Sequence, residues 1–532
     1  MKVAYIFPPP WDPKFPPYSM ALFNASTKRQ QHEFCGYDLN LDLYNIAHKK
    51  DKPLWEGQHA VQWYTMSDEI TQKFAWFLDA FIDKLLKEDI GLFAFSINVY
   101  SKMIALVLAR KIRLAIPDSA IIFGGPQCFP AYDGIRILEN EFIDAICTGE
   151  GDLVWPAMLK FFSEHGNLRI GIPGIAFRSK DGTIVDGGVP EGVKNLNEVP
   201  LADYRGLDLV RYNNLQLSTM TSRGCINTCA FCSERPNFTR YRYRNAQNIY
   251  DEILNHIEVM QPQKPLIGRL LTYLRSVCHR RRVLVHTKTL SSQQHALSSL
   301  DTYGNDFLVA LRSRLPLGKL RTLLARVLPA NWRNVIPFIN FNDSLINGNP
   351  KELDQLCDKI IDSGILFHWA GMALIRKEMS RELLAKMKAA GCIHLAWGLE
   401  SGCQRVLELM KKRFFDIDLA KIVIRDTYRV GINQSISLIA GFPGETEEMF
   451  FETLAFLSEH MRYFSKIGVQ PMMIVNNSLV CEKHEQYGID YANSRDALKW
   501  KSIDGSNNYE LRLERVDQLK ALLNDKIITI DK

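Results

Sequence analysis

The segment Arg223-Gly-Cys-Ile-Asn-Thr-Cys-Ala-Phe-Cys-Ser-Glu places three thiols, Cys225, Cys229 and Cys232, within eight residues. This Cys-x3-Cys-x2-Cys spacing lets one short loop wrap a single metal centre, and thiolates suit zinc or iron–sulfur clusters. Structural zinc normally takes four closed ligands, commonly as two pairs. No second Cys–Cys pair and no His–His pair at metal spacing occurs in the chain, so zinc is the lesser reading. A four-iron, four-sulfur cluster on three thiolates leaves one iron open to an external ligand, which is what an enzyme needs to hold a cofactor. The plain alternative is three buried structural cysteines; against it stand Gly224 ahead of them and the polar residues beside them.

Such a loop must be carried by something large. The chain has 532 residues, 46% hydrophobic and 23% charged, which at about 150 residues per domain predicts roughly three domains or two with appendages. No run reaches the ~18 apolar residues of a spanning helix, and Val3–Phe7 is cut off by Pro8, Pro9 and Pro10. Eleven cysteines without an export signal point to reduced thiols or metal ligands, hence a cytoplasmic protein.

Over residues 1–165, apolar runs at Val3–Phe7, Ile90–Ser96, Ala120–Phe123 and Phe142–Cys147 alternate with helical patterns at Ile70–Leu86 and Met103–Ile112. That rhythm predicts an α/β unit with a parallel, doubly wound sheet. Its ligand edge, beyond the carboxyl ends of the strands, would carry Ser96 with Asn98, then Gly124-Gly125-Pro126, then Gly149-Glu150-Gly151. Residues 166–215 form a connector with a hairpin about Asp181-Gly182.

A second βα series begins near Leu215, with strands expected at Leu217–Thr221, Val335–Phe341, Ile365–Trp369, Ile393–Trp397, Ile432–Ile439 and, past the barrel domain read as 216–465, Ile467–Met472. Asn349, Pro350 and Gly364 punctuate one intervening helix, Ser380 and Gly391 the next. Six units predict a partial barrel of the (β/α)6 kind, with its site at the carboxyl ends of the strands. Polar or glycine-rich clusters do follow strands: the cysteines the first, Asn342-Asp343 the second, Gly398-Leu-Glu-Ser-Gly the fourth and Gly441-Phe-Pro-Gly-Glu the fifth. The last could instead simply open a helix, with Glu445, Glu447 and Glu448 at its positive end. His368 and Trp369, placed at the end of the third strand, could face substrate or pack in the core. Residues 466–532, with an amphipathic pattern through Val516, Leu519, Leu522 and Leu523, supply a last strand and a cap over the barrel's open side.

The cysteine loop resembles the cluster motif of the radical S-adenosylmethionine enzymes. The resemblance implies that Cys225, Cys229 and Cys232 ligate a 4Fe-4S cluster whose open iron chelates S-adenosylmethionine. An electron, from a donor such as flavodoxin or ferredoxin, then cleaves it to a 5′-deoxyadenosyl radical. It further implies that Phe231 packs on the adenine and that Glu400 and Ser401 contact the ribose. The stretch holding Gly441 and Glu445 would support the adenine, and Asp343 would steer the methionine amino group. Upstream, Val3–Phe7 with its prolines, Asp38-Leu-Asn-Leu-Asp, Gly124-Gly125-Pro126, Gly149-Glu150-Gly151-Asp152 and Val199-Pro-Leu-Ala-Asp-Tyr resemble the cobalamin-binding subclass, over roughly 1–263 and 334–510. That subclass implies a Rossmann-like domain holding cobalamin above the barrel, near Ser96, Gly124, Gly125, Gly149 and Glu150. Glycine there would let the backbone approach the nucleotide tail, although a bare structural turn reads the same way. The function it implies is methylation of an unactivated carbon of a small-molecule, natural-product or lipid-like substrate. Rearrangement or cyclisation, with the N-terminal domain as scaffold only, is the alternative.

Two features depart from that pattern. The Asp-x-His-x-x-Gly motif that supplies a cobalt ligand is absent, since His32, His48 and His59 all lie outside it. Residues 264–333 separate the first barrel helix from the second strand, where connections are usually about 2–6 residues. This segment holds 13 Lys and Arg against Asp301 and Asp306, while the chain as a whole carries only +6. It reads as a solvated, partly disordered insertion, as a stretch translated in a shifted frame, or as a nucleic-acid or acidic-partner patch, the last disfavoured by its few aromatics.

Overall fold

The computed structural model describes the chain apart from residues 57–58, 131, 189–191, 213–214, 235–237, 239, 261–335, 491–496, 524–526 and 530–532. The readings of 264–333 therefore concern residues outside those described.

Two seven-stranded sheets organise the molecule. The first contains β1 (Lys2–Phe7), β2 (Glu33–Asp38), β3 (Leu92–Ser96), β4 (Ala120–Gly124), β5 (Ala145–Cys147), β6 (Ile175–Arg178) and β7 (Ile184–Asp186), in the order β2-β1-β3-β4-β5-β6-β7. The pairs from β2 to β5 are parallel, and β6 and β7 are antiparallel. Alternate residues bury on opposite faces: Ile6, Phe93, Phe95, Ile121 and Phe123 face the helices Ala75–Leu85 and Lys102–Ala115. Tyr5, Leu92, Ala94, Ile122 and Ala145 face Trp155, Met158 and Leu159 of the helix Gly151–His165. Both faces are covered, which is why the strands read as unbroken apolar runs, and the fold is doubly wound. The hairpin β6–β7 forms the antiparallel edge of this sheet.

Local differences from the sequence-based expectation have packing causes. The helix expected over Ile70–Leu86 is two helices, Ser67–Lys73 and Ala75–Leu85. They meet at Phe74, which is buried and stacks 6.0 Å from Trp63, so an aromatic contact overrides helix continuity. The Asp38 motif is a helix start, its carboxylate accepting the Leu41 N–H at 2.9 Å.

The second sheet contains β8 (Leu217–Thr219), β11 (Phe338–Phe341), β12 (His368–Ala373), β13 (Cys392–Glu400), β14 (Asn433–Ala440), β15 (Lys466–Pro471) and β18 (Ile527–Thr529). Their order is β18-β15-β14-β13-β12-β11-β8 and every pair is parallel. Two antiparallel ribbons complete the strands: β9 (Ser222–Arg223) with β10 (Arg242–Tyr243), and β16 (Ile489–Asp490) with β17 (Lys501–Ser502). All six expected strands are present, and among the described residues the sheet ends at β8 on one side and β18 on the other, an open partial barrel. The C-terminal residues extend the sheet at its edge through β18, and the helix Tyr509–Leu523 buries Val516, Leu519 and Leu523 against its core.

The period of two along these strands separates a helix-facing side from a lumen. Phe341, Trp369, Leu395, Trp397, Ile436 and Val469 are buried with the helices. The intervening Asn340, Ala370, His394, Ala396, Ser435 and Ser437 are less buried and mostly small or polar, so the lumen face leaves room. Asn349 caps the helix Pro350–Ser363 and Ser380 caps Arg381–Ala389, as expected. His368 and Trp369 open β12 rather than end it. Trp369 is fully buried, stacks 4.9 Å from Phe341, and its Nε1 donates to Ala390 O at 3.1 Å. It is a core residue.

Candidate functional site

The cysteine loop leaves β9, returns through β10, and is pinned at every side. At Gly224, φ is +77° and an added Cβ would meet Arg240 O at 2.8 Å, so only glycine lets the ribbon close here. The Ala230 N–H donates to Met410 O at 2.9 Å, and Ala230 O accepts the Val480 N–H at 2.9 Å. Two sulfurs are engaged by backbone: Asn227 N–H points at Cys225 Sγ and Glu234 N–H at Cys232 Sγ, each 3.4 Å. Burial raises all three thiols, Cys229 to about 12 and Cys232 to about 11, while the Lys412 ammonium pulls Cys225 and Cys229 back down. The three thiols also feel one another, with Cys225 and Cys232 both acting on Cys229. Among the described residues, no three His, Cys, Asp or Glu converge tightly enough to hold a single metal ion. A set of half-buried thiols close enough to act on one another, two of them met by backbone N–H groups, fits a cluster.

Beside the thiols lies a polar knot. Glu400 ends β13 at a bulge with φ +72°, an uncommon conformation for a non-glycine residue. Its carboxylate accepts from Ser437 Oγ at 3.2 Å and from Lys412 Nζ at 3.3 Å. Neighbouring Ser401 is engaged elsewhere: its Oγ lies 2.9 Å from Thr453 Oγ1 and accepts the Cys403 N–H at 3.1 Å. Phe231 is half-buried against a cluster that includes Met410, Ile439 and Phe442.

Asp343 and Glu445 also have structural partners. Asp343 accepts from Thr221 N at 2.8 Å, Thr221 Oγ1 at 2.9 Å and Ser222 Oγ at 2.8 Å, fastening the strand end ahead of the cysteines. Burial lifts its carboxyl to about 6. Glu445 accepts the Gly441 N–H at 2.7 Å and pairs with buried Arg515 at 2.7 Å. The helix Glu447–His460 opens just afterwards with Thr446 as its cap, as the helix-opening reading of this segment expects.

Between the two sheets lies a cavity of about 760 Å³. One wall is the carboxyl edge of the first sheet, with Ser96, Gly124, Gly125, Gly149 and Glu150. The opposite wall is the barrel lumen, with Asn340, Asn342, Ala370, Met372, His394 and Ala396. Two of the first-wall residues have local duties that no motif signalled. An added Cβ on Gly125 would lie 2.6 Å from Ile97 O, so its bareness serves packing between loops. Glu150 accepts from Arg223 at 2.7 Å and from Arg242 at 3.0 Å, and Asp152 from Arg223 at 2.5 Å. This carboxylate–guanidinium group ties the first domain to the residue two before Cys225. Sequence reasoning also missed His394, whose Nε2 lies 3.0 Å from Ser435 Oγ on the lumen face. The alternation of small and apolar residues along β13 and β14 was the signal for it.

Residues 347–457 match the radical SAM superfamily model; the cysteine loop lies upstream of the matched range. An uncharacterized methyltransferase of Pyrococcus horikoshii is 22% identical over 70% of this chain and 65% of its own length. An anaerobic magnesium-protoporphyrin IX monomethyl ester cyclase of Rubrivivax gelatinosus is 23% identical over 69% of this chain and 54% of its own length. The chain thus spans less than two thirds of either curated relative. Among solved structures, the radical S-adenosylmethionine methyltransferase TsrM of Kitasatospora setae, with cobalamin and a [4Fe-4S] cluster bound, superposes with a TM-score of 0.62 at 14% identity. That match covers 99% of this chain and 92% of TsrM. The cobalamin-dependent radical enzyme OxsB superposes with a TM-score of 0.57 at 15% identity, over 91% of this chain and 56% of OxsB. The chain carries a radical S-adenosylmethionine superfamily domain, and in fold it resembles the cobalamin-binding radical enzymes.

Proposed function

We propose that this chain is a cobalamin-dependent radical S-adenosylmethionine enzyme that methylates an unactivated carbon of a small molecule held between its two sheets. The observation that carries the reading is the placement of the three-thiol loop, the Glu400–Ser437–Lys412 knot and the inter-sheet cavity at the carboxyl ends of both sheets. The bound groups would supply radical generation at the cluster and a methyl group from the corrinoid.

The chain's own residues would hold, orient and exclude water. Cys225, Cys229 and Cys232 would hold the cluster, with the Asn227 and Glu234 N–H groups stabilising thiolate sulfur. Phe231 offers an aromatic ring beside the third cysteine and Glu400 a carboxylate that acts on Cys229 and Cys232. Ser96, Gly124, Gly125 and Gly149 line the wall where a corrinoid would lie; Glu150 supports that wall through Arg223 and Arg242. The lumen's Asn340, Asn342 and His394 are the polar groups available to orient substrate, among small residues that leave space for it. Aromatic residues of the first domain, among them Tyr5, Phe23 and Trp155, close the cavity on the other side and favour an apolar substrate body.

The N-terminal domain is read as residues 1–165 and the radical domain as 216–465, with 466–532 completing the barrel edge. A low-potential one-electron carrier, flavodoxin or ferredoxin in type, is the expected partner. Among the described residues no helix is long and apolar enough to cross a membrane. Ring-forming chemistry is the second reading, favoured by the cyclase relative, which covers as much of the chain as the methyltransferase does.

Anaerobic reconstitution with iron, sulfide and hydroxocobalamin tests the proposal, beside a Cys229→Ala variant. About four irons per chain, corrinoid absorbance, and 5′-deoxyadenosine that disappears in the variant are expected. Well-folded protein with little iron and no deoxyadenosine overturns it; deoxyadenosine without corrinoid moves the reading to the second alternative.

A further inference from the structure

Lys412 is a lysine in an unusual place. Its side chain is only 4% exposed, although lysine is almost never buried without a reason. Nζ donates to Gly398 O at 2.5 Å and reaches Glu400 Oε1 at 3.3 Å, and it stands 5.8 Å from the Phe415 ring centre. The backbone is shaped to admit it. An added Cβ on Gly398 would lie 3.2 Å from Nζ and 2.8 Å from Glu400 Oε1, so a side chain there would crowd the pair. Lys411, directly before it, takes φ +59°, turning the chain at the end of the helix Gln404–Leu409. That same turn holds the cysteine loop, because Met410 O accepts the Ala230 N–H at 2.9 Å, between Cys229 and Cys232. The turn therefore fixes ammonium and thiols relative to each other through backbone.

The charges around the loop are unequally placed. Cys229 feels the positive charge of Lys412 ahead of any other charge, Cys225 feels first the Glu234 carboxylate and then Lys412, and Cys232 feels the carboxylates of Glu234 and Glu400. Glu400 also acts on Cys229, but less than Lys412 does. In a site shielded from water such charges act at closer to full strength than at a surface. A centre held by three thiolates becomes more negative on reduction, so a fixed cation beside it stabilises the reduced form, and net charge is one of the levers that set a cluster's potential.

We propose that Lys412 is a positioning residue whose fixed positive charge, held beside Cys225 and Cys229 by Gly398 and Glu400, makes a cluster on these thiolates easier to reduce. The inference rests on the reading of the loop as a cluster site. Reduction here is the gain of one electron from an external one-electron donor; no bond is broken. Lys412 touches neither substrate nor reacting atoms in this role.

The test is a mediated redox titration of the reconstituted full chain with dithionite, followed by the electron paramagnetic resonance signal of the reduced cluster, in the absence of S-adenosylmethionine. Lys412→Met is expected to hold as much iron as wild type and to titrate at a more negative potential. A tenfold loss in the reduced-to-oxidised ratio at a fixed potential corresponds to a shift of about 59 mV for one electron. Lys412→Arg should restore most of it. Glu400→Gln, which removes the opposing charge, should move the midpoint the other way, and it serves as the measurement should Lys412→Met lose its iron. Midpoints that stay at the wild-type value in iron-replete variants overturn the inference while leaving the cluster site standing. A wild-type chain that takes up no iron overturns both.

Discussion

At the scale of single residues, the polar groups near the site divide into those that hold the backbone and those left facing space. Asp343 and Ser401 have their hydrogen bonds satisfied by Thr221, Ser222, Thr453 and Cys403, and Glu445 by Gly441 and Arg515. Gly441 shows how tightly one of these groups is built. Its φ is +78°, and an added Cβ would fall 2.3 Å from Arg512 Cγ, while Arg512 itself is fully buried beneath Trp500. Gly441→Ala therefore combines a left-handed conformation with overpacking and should lower stability by about 2 kcal/mol or more. Denaturant unfolding of the two chains checks this; an unchanged midpoint would show that Arg512 moves aside without cost.

At the scale of elements, the junction between the domains is written into the first barrel helix, Ala246–Met260. Its Glu252, fully buried, accepts from Thr219 Oγ1 at 2.6 Å, Ala202 N at 3.0 Å and Tyr18 Oη at 3.0 Å. One turn on, His256 is buried with Nε2 at 2.9 Å from Ser218 O. Burial lowers its pKa below 6.5, against the opposing pull of Glu252. A histidine kept neutral in the folded state contributes stability that is present above the unfolded value and lost as pH falls through it. The thermal midpoint of the wild type should accordingly drop more steeply than that of His256→Gln as pH falls below about 6.5. Parallel slopes for the two chains would place the acid sensitivity elsewhere. In the barrel, Trp369→Ala removes a fully buried ring from the stack on Phe341 and should cost about 3–5 kcal/mol, measured by denaturant unfolding.

At the scale of the whole molecule, the site exists only because two domains are held face to face. Arg223 is the link, nearly buried between Glu150 and Asp152 and two residues ahead of the first cysteine. Arg223→Met leaves Asp152 without its cation and Glu150 with Arg242 alone, and should cost about 3–5 kcal/mol, with two resolved unfolding steps by calorimetry in place of one. The cavity can be tested separately from the fold. Ala370 and Ala396 face it from adjacent strands of the lumen. Ala370→Phe should fill the lumen while leaving the cysteine loop untouched. Iron content and reductive formation of 5′-deoxyadenosine are expected to stay at wild-type levels while methylation of substrate falls at least tenfold. Loss of iron in that variant would show that the lumen and the loop are coupled.

What the residue order determined by itself is local: the three thiols at cluster spacing, the strand and helix rhythm of both domains, and the caps at Asn349, Pro350, Gly364 and Ser380. These are legible because they depend on periodicity and on backbone preferences that act within a few residues. The edge strands were less so. Glu33–Asp38 is half exposed and interrupted by Gly36, and Ile527–Thr529 is three residues long, too short for its sequence to be told from a loop. Partnership between distant polar groups was not legible at all. Nothing in their own neighbourhoods says that Glu150 will meet Arg223, that Glu445 will meet Arg515, or that Lys412 will be folded in beside Cys229. The first pair is joined by the closure of the two sheets over one cavity, and the other two by the packing of the barrel's own loops and C-terminal helix. Only the tertiary structure decides which carboxylates brace the scaffold and which charges are left beside the thiols, because burial and Coulomb interaction depend on distance in space and not along the chain.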